Sequence, residues 1–191
     1  MRLLLVSMLA MLMGHDAVAA DVKPSGDSPQ RAVLVTGASV GIGRKITERL
    51  AAEGFFVFAG ARKEQDLEAL DAIPNVKAVR LDVTVPAEVA AAVEVVRGSG
   101  LPLHGIVNNA GVAVIDPVLN TSEEDFDFQM QVNVYGVFRV TKALAPLVIA
   151  SKGRIVNISS ISAFQSDAGT SAYTMSKAAV EAFTNVLAVE M

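Results

Sequence analysis

The sequence predicts an α/β domain in which a doubly wound parallel sheet lies between two layers of helices, a three-layer α/β/α arrangement. Three observations lead there. From Arg31 onward, short runs rich in Val, Ile and Phe alternate with amphipathic stretches, the rhythm of βαβ units. The runs are apolar at consecutive positions, as in Val33-Leu34-Val35 and Ile106-Val107, which suits strands covered on both faces. A glycine-rich turn separates the first run from the first amphipathic stretch.

The elements follow in order. A strand over Arg31 to Thr36 leads to a helix over Ile42 to Glu53, and a strand over Phe55 to Ala59 leads to a helix over Glu64 to Leu70. The third strand, Val76 to Leu81, precedes a helix over Pro86 to Val96; proline suits a first helical turn, where its missing N–H has no partner to lose. The fourth strand, Gly105 to Asn108, is followed by a long helical stretch, Glu123 to Ala150, in which Asn133, Gly136 and Pro146 predict a kink or two helices. A fifth strand, Arg154 to Ser159, and a helix from Tyr173 to the end complete the series. There is no internal repeat of solenoid length.

Composition removes several function classes. The net charge of −4 and the scattering of basic residues argue against a nucleic-acid partner. With no cysteine, disulfides and thiolate metal sites are excluded, and no metal site is predicted. The first twenty residues differ from the rest: Arg2, an apolar run Leu3 to Met13, and the small residues Ala17-Val18-Ala19-Ala20 read as a secretory leader, residues 1–20. The run is shorter than the ~20 residues of a spanning helix, so no stable membrane span is expected; a transmembrane anchor and an over-extended start are the alternatives. Residues 21–30, with Pro24, Gly26 and Pro29, read as a tether, and 31–191 as the folded domain. A working leader implies a periplasmic or secreted protein; an unused one implies a cytoplasmic protein.

The turn reads Thr36-Gly37-Ala38-Ser39-Val40-Gly41-Ile42-Gly43. Glycines at Gly37, Gly41 and Gly43 permit a tight bend, let backbone amides approach a pyrophosphate, and bring the helix close to its strand. Ser39 and Ile42 lie within the same turn and count with it as dinucleotide-binding residues; a purely structural turn is the alternative. This is the placement of the phosphate turn in a Rossmann-like sheet. At the end of the second strand, where an acidic residue would bind the ribose hydroxyls of NAD, stands Gly60-Ala61-Arg62-Lys63. Guanidinium and ammonium groups attract a 2′-phosphate, which favours NADP(H) over NAD(H), with Arg62 the named contact. The alternative is that both are solvated charges. Asp82 suits either an adenine amino group or the cap of the helix beginning near Pro86, and the residues leave the two open.

Asn108-Asn109-Ala110-Gly111 and Asn157-Ile158-Ser159-Ser160 end the fourth and fifth strands at the carboxyl edge, where open α/β sheets bind ligands. Asn109, Ala110 and Gly111 are therefore cofactor-site candidates. Tyr173 and Lys177 stand four residues apart, on one helical face, and are assigned to both catalysis and cofactor binding. A tyrosine ordinarily ionises near pH 10, too high for a base at neutral pH; an ammonium about 5 Å away, at an effective dielectric of about 20, favours the phenolate by about 3 kcal/mol.

In this order, from Arg31 to the last residue, these motifs resemble the short-chain dehydrogenase/reductase family. The resemblance implies a catalytic tetrad of Asn133, Ser160, Tyr173 and Lys177. It picks Ser160, thirteen positions before Tyr173, over Ser159 and Ser162. It also implies hydride transfer between NADP(H) and a small-molecule alcohol or carbonyl, with Ser160 holding the substrate oxygen and Asn133 a water that serves Lys177. Members usually continue past the tyrosine helix, so the chain is expected to be truncated, with strand order 3-2-1-4-5, an open fifth strand, low stability and weak activity. A non-catalytic dinucleotide-binding or interaction module, or an incomplete gene product, are the competing readings. Homodimers or homotetramers through the long helices are implied as well, using Phe138, Leu144, Leu147, Ala179, Phe183 and Leu187, positions that core packing also accounts for.

Overall fold

The computed structural model describes residues 30–191 apart from Ser166. The expected leader and all of the tether except Gln30 lie outside the described residues. Gln30 itself is tied down, its Nε2 donating to the carbonyl of Gly54 at 3.1 Å.

Five strands alternate with helices: β1 (Ala32–Val35), α1 (Gly41–Ala52), β2 (Phe56–Ala61), α2 (Glu64–Asp71), β3 (Val76–Arg80), α3 (Pro86–Gly98), β4 (Leu103–Asn108), α4 (Glu123–Met130), α5 (Gly136–Ala150), β5 (Arg154–Asn157) and α6 (Ser171–Glu190). The sheet order is β3-β2-β1-β4-β5 and every pairing is parallel. The fold is thus a Rossmann-like α/β sheet. The order reverses between β1 and β4, and ligands of open α/β sheets bind at the carboxyl edge of such a switch point.

Alternation along β1 explains the two helical layers. Ala32 and Leu34 face a core that includes Phe58 and Leu81, with Val89, Val93 and Val96 of α3 and Val140, Leu144 and Val148 of α5. Val33 and Val35 face the opposite core, with Val57, Ala51 of α1, and Leu67 and Leu70 of α2. Because both faces are covered, β1 is buried at all four positions, as its unbroken apolar run requires. The two edge strands of the described sheet are the exceptions: β3 exposes Lys77 and Arg80, and β5 alternates between exposed and half-buried residues.

The long fourth helical stretch breaks once. Between α4 and α5 the residues Gln131–Tyr135 form a π-helical turn, whereas α5 runs through Pro146 without ending. The sequence places three breakers here, and only the segment holding Asn133 and adjoining Gly136 interrupts the α-helix. Gly136 has its own reason to lack a side chain, since a Cβ there would stand 2.6 Å from Val83 Cγ2. Glu123–Ala150 is long and apolar enough to cross a membrane by composition. Its stripe of Val137, Val140, Thr141, Leu144 and Val148 is nevertheless buried against the domain, as in a core helix. Leu144 therefore belongs to the core, while Phe138 and Phe183 pair edge-to-face on the outer side, with ring centroids 6.0 Å apart.

Candidate active site

The turn after β1 is shaped by two glycines in the left-handed region, Gly37 at φ +64° and Gly41 at +58°. Gly43 is needed for a different reason: a Cβ there would stand 2.3 Å from both Asn109 Nδ2 and the Gly37 carbonyl. Asn109 occupies that space, donating from Nδ2 to the carbonyls of Thr36 at 2.9 Å and Gly37 at 3.0 Å. Thr36 reciprocates, its Oγ1 accepting from the amides of Asn109 and Ala110, both at 3.0 Å. The turn and the end of β4 are therefore one unit. Thr36 is a site residue that sequence reasoning passed over, although its place directly before Gly37 marked it.

A cleft of about 330 Å³ opens on this unit. The turn contributes Gly37, Ser39, Ile42 and Gly43; the loops after β2 and β3 contribute Arg62 and Asp82; the loop after β4 contributes Asn109, Ala110 and Gly111. Gly41 is not among the lining residues, and its part is to set the backbone. Val83 and Val132 add apolar walls the motifs did not name. The fit to a dinucleotide rests on the turn. α1 begins at Gly41 with no side-chain cap and no acidic residue in its first turn, so its leading amides remain open to an anion. By contrast, α4 is capped by Ser122 and opens with Glu123, Glu124 and Asp125.

At the far end of the cleft, Arg62 Nη1 lies 3.7 Å from Asp82 Oδ2, with the Arg62 side chain largely exposed. The other oxygen of Asp82 accepts from the amide and hydroxyl of Thr84 at 2.9 and 2.7 Å. Burial opposes the charge on Asp82, but the Thr84 hydrogen bonds and the Arg62 guanidinium outweigh it and hold the carboxyl below its usual range. Asp82 thus braces the turn ahead of α3 while still lining the cleft, but it does not cap the helix, whose N-cap is Val85 with no side-chain cap bond. Arg80 donates to the Arg62 carbonyl at 2.7 Å and pairs with Glu64.

The other end of the cleft meets α6. A Cβ added at Gly111 would stand 3.5 Å from Lys177 Nζ and 3.4 Å from Asn133 Oδ1. Lys177 is buried; its Nζ donates to the Ile158 carbonyl at 2.9 Å and lies 5.8 Å from the centroid of the Tyr173 ring. Burial pushes its ammonium below the usual lysine range. Ser160 directly precedes a short 3-10 turn, Ile161–Ala163, and its Oγ accepts from Ser162 N at 3.1 Å. Ser159 Oγ is buried with no hydrogen-bond partner among the described residues, and Ser162 is buried.

Asn133 sits in the π-helical turn and is fully enclosed. Its Oδ1 accepts from Val112 N at 2.8 Å, and its Nδ2 donates to the Val112 carbonyl at 2.8 Å and to Ser176 Oγ at 2.9 Å. One helical turn earlier, Gln129 Oε1 accepts from Val114 N at 3.0 Å. Two amides on α4 and its π extension thus hold the loop that leaves Gly111. Gln129 and Ser176 were not among the sequence candidates. Their spacing, four residues before Asn133 and three after Tyr173, is visible only once the partner loop is known.

Comparison with known proteins agrees with this geometry. The family model described as short chain dehydrogenase matches residues 31–191. Mitochondrial D-beta-hydroxybutyrate dehydrogenase of Bos taurus is 38% identical over 199 residues, an alignment that covers 99% of this chain and 57% of that protein. A variant of actinorhodin polyketide ketoreductase solved with NADPH superposes with a TM-score of 0.79 at 34% identity, covering 84% of this chain and 65% of that one. Gluconate 5-dehydrogenase of Burkholderia cenocepacia, solved with NADP and tartrate, gives a TM-score of 0.77 at 28% identity, with 84% and 65% covered. The chain spans little more than half the length of the bovine relative. With the glycine turn, the parallel sheet and the matched family model in agreement, the chain belongs to the short chain dehydrogenase family, the short-chain dehydrogenase/reductases.

Proposed function

We propose that this protein is an NADP(H)-dependent oxidoreductase interconverting an alcohol and a carbonyl, with Tyr173, Lys177, Ser160 and Asn133 as its working residues. The observation that carries the reading is the position of Lys177: its ammonium lies 5.8 Å from the centroid of the Tyr173 ring and borders Gly111 at the end of the nucleotide cleft. When bound, the nicotinamide supplies or accepts the hydride.

The chain's own residues handle the proton and the oxygen. In reduction, the Tyr173 hydroxyl gives its proton to the carbonyl oxygen as the C–O bond becomes single; in oxidation it takes that proton back. The buried Lys177 ammonium stabilises the negative charge left on the phenol oxygen, and the Ile158 carbonyl holds the ammonium in place. Ser160 accepts from Ser162 N, so its own hydroxyl proton remains to donate to the substrate oxygen. Asn133 fixes Val112 and so the wall beside Gly111; its side chain is engaged by three protein bonds. The preference for NADP(H) rests on Arg62, a cation lining the cleft where an acid would favour NAD. Relatives solved with NADPH and NADP support that preference.

Titration of the purified chain with NADPH and NADH, followed by nicotinamide fluorescence, tests the cofactor, and turnover of a carbonyl panel tests the chemistry. Tyr173→Phe is expected to abolish turnover while leaving NADPH binding intact. Binding without turnover in the unaltered chain across the whole panel rejects the enzyme in favour of a binding module.

A further inference from the structure

The two loops that frame Tyr173 and Ser160 have a chemistry of their own. The first continues from Gly111 and is held by Asn133 and Gln129 at Val112 and Val114. It then crosses to the second, the loop between Ser160 and α6: Asp116 N donates to the Gly169 carbonyl at 2.9 Å, and a Cβ at Gly169 would stand 3.4 Å from Ile115 Cγ2. Five large apolar side chains on these loops are exposed, Ile115, Val118, Leu119, Ile161 and Phe164, with Leu119 at 95%. Apolar exposure gathered on two touching loops beside a reactive site marks a binding surface.

Charge narrows the class of ligand. Among the described residues, no Lys or Arg occurs from 98 to 138 or from 155 to 176. The cation of this region is Lys177, which is buried and already bonded to Ile158. The two loops carry Asp116 and Asp167 instead. A substrate carboxylate or phosphate entering here would lose water, meet no free counter-charge among the described residues of the two loops and face two acids; an uncharged alkyl or aryl group would lose little and cover apolar surface.

We infer that the substrate is an uncharged ketone or secondary alcohol bearing a sizeable apolar group, and that these loops select against an anionic substituent. The inference rests on the proposed oxidoreductase reading only in locating the reacting oxygen between Ser160 and Tyr173. The test compares a matched pair on the NADPH-loaded chain, 2-nonanone and 8-oxononanoate, which differ by a carboxylate at the end far from the ketone. Both turnover and binding are followed, the latter by the change in nicotinamide fluorescence.

The neutral ketone is expected to be preferred by at least about tenfold in kcat/KM and in affinity. Leu119→Lys, which adds a cation at an exposed loop position, is expected to shrink that ratio by relieving the anion and not by weakening the ketone. Selective binding of 2-nonanone without turnover of either compound supports the inference while defeating the oxidoreductase reading. Equal or better use of 8-oxononanoate, or binding of neither compound, overturns the inference, and turnover in the former case leaves the oxidoreductase reading standing.

Discussion

Asn133 grips Val112 by both ends of its peptide chemistry, accepting from its amide and donating to its carbonyl at 2.8 Å each. The contact is enclosed, and a third bond runs from the same amide group to Ser176 on α6. One side chain in a π-helical turn therefore couples the loop after β4 to the helix that carries Tyr173 and Lys177. Such turns interrupt helices at the cost of regular hydrogen bonding and recur at functional sites.

Asn133→Ala leaves the Val112 amide and carbonyl without their side-chain partner in an enclosed space. The expected loss is about 2–4 kcal/mol of stability, read as a lower urea midpoint, because unmet buried polar groups carry their full desolvation cost. Turnover should fall with it even at temperatures where the variant is folded. A variant with unchanged midpoint would show that the loop does not depend on this grip.

Gly43→Ala is expected to be far worse than its size suggests. The new methyl would meet Asn109 Nδ2 and the Gly37 carbonyl at 2.3 Å, so the bonds joining the turn to β4 must open. We expect a loss of about 2–3 kcal/mol and no detectable NADPH binding. Gly98→Ala, in α3 with nothing near its Cβ, serves as the control and should raise stability by about 0.5–1 kcal/mol. Equal behaviour of the two variants in thermal melts would refute the steric argument.

Arg62→Ala removes the exposed cation at the end of β2. NADPH affinity is expected to fall by about tenfold, the loss of one charge-assisted contact, while NADH affinity stays within about twofold. Because the side chain is mostly exposed and its partner Asp82 is 3.7 Å away, stability should change little. Parallel fluorescence titrations with the two nucleotides decide the point, and an equal drop for both would remove Arg62 from phosphate recognition.

Lys177 links stability to alkaline pH. Its folded pKa is lowered by burial, so between that value and the ordinary lysine value near 10.4 the unfolded chain binds more protons than the folded one. The contribution of this group is accordingly least favourable below the folded pKa and improves as pH rises toward about 10.4. The difference in unfolding free energy between the natural chain and Lys177→Met should therefore grow in favour of the natural chain with increasing pH across the alkaline range. Paired urea titrations at several pH values measure it, and a difference that shrinks with pH would contradict the burial argument.

The central strands were legible because parallel, doubly covered strands need consecutive apolar residues, and β1, β2 and β4 supply them, whereas the edge strand β3 mixes Lys77 and Arg80 into its run. Their ends were less so. β2 continues through Gly60 and Ala61, small residues that offer no pattern, since Gly60 is required by the nearness of Leu81 and the Val35 carbonyl. The break in the fourth helical stretch had three candidates in Asn133, Gly136 and Pro146, and local propensity ranks proline first. Packing ranked them otherwise, because α5 keeps its buried stripe through Pro146 while Asn133 is drawn to Val112.

Local pattern in the sequence determined the parallel sheet, the glycine turn between β1 and α1, and the placing of Tyr173 and Lys177 on one helix, because each depends on neighbours within one helical turn or on the run of strands and helices that the chain itself carries. Only the tertiary structure decided what Asn109, Asn133 and Thr36 touch, since their partners lie up to 74 positions away and polar side chains bond whatever the fold brings within reach. Long-range contacts of this kind are set by how strands order themselves in a sheet. No sequence period records that order for a single asparagine.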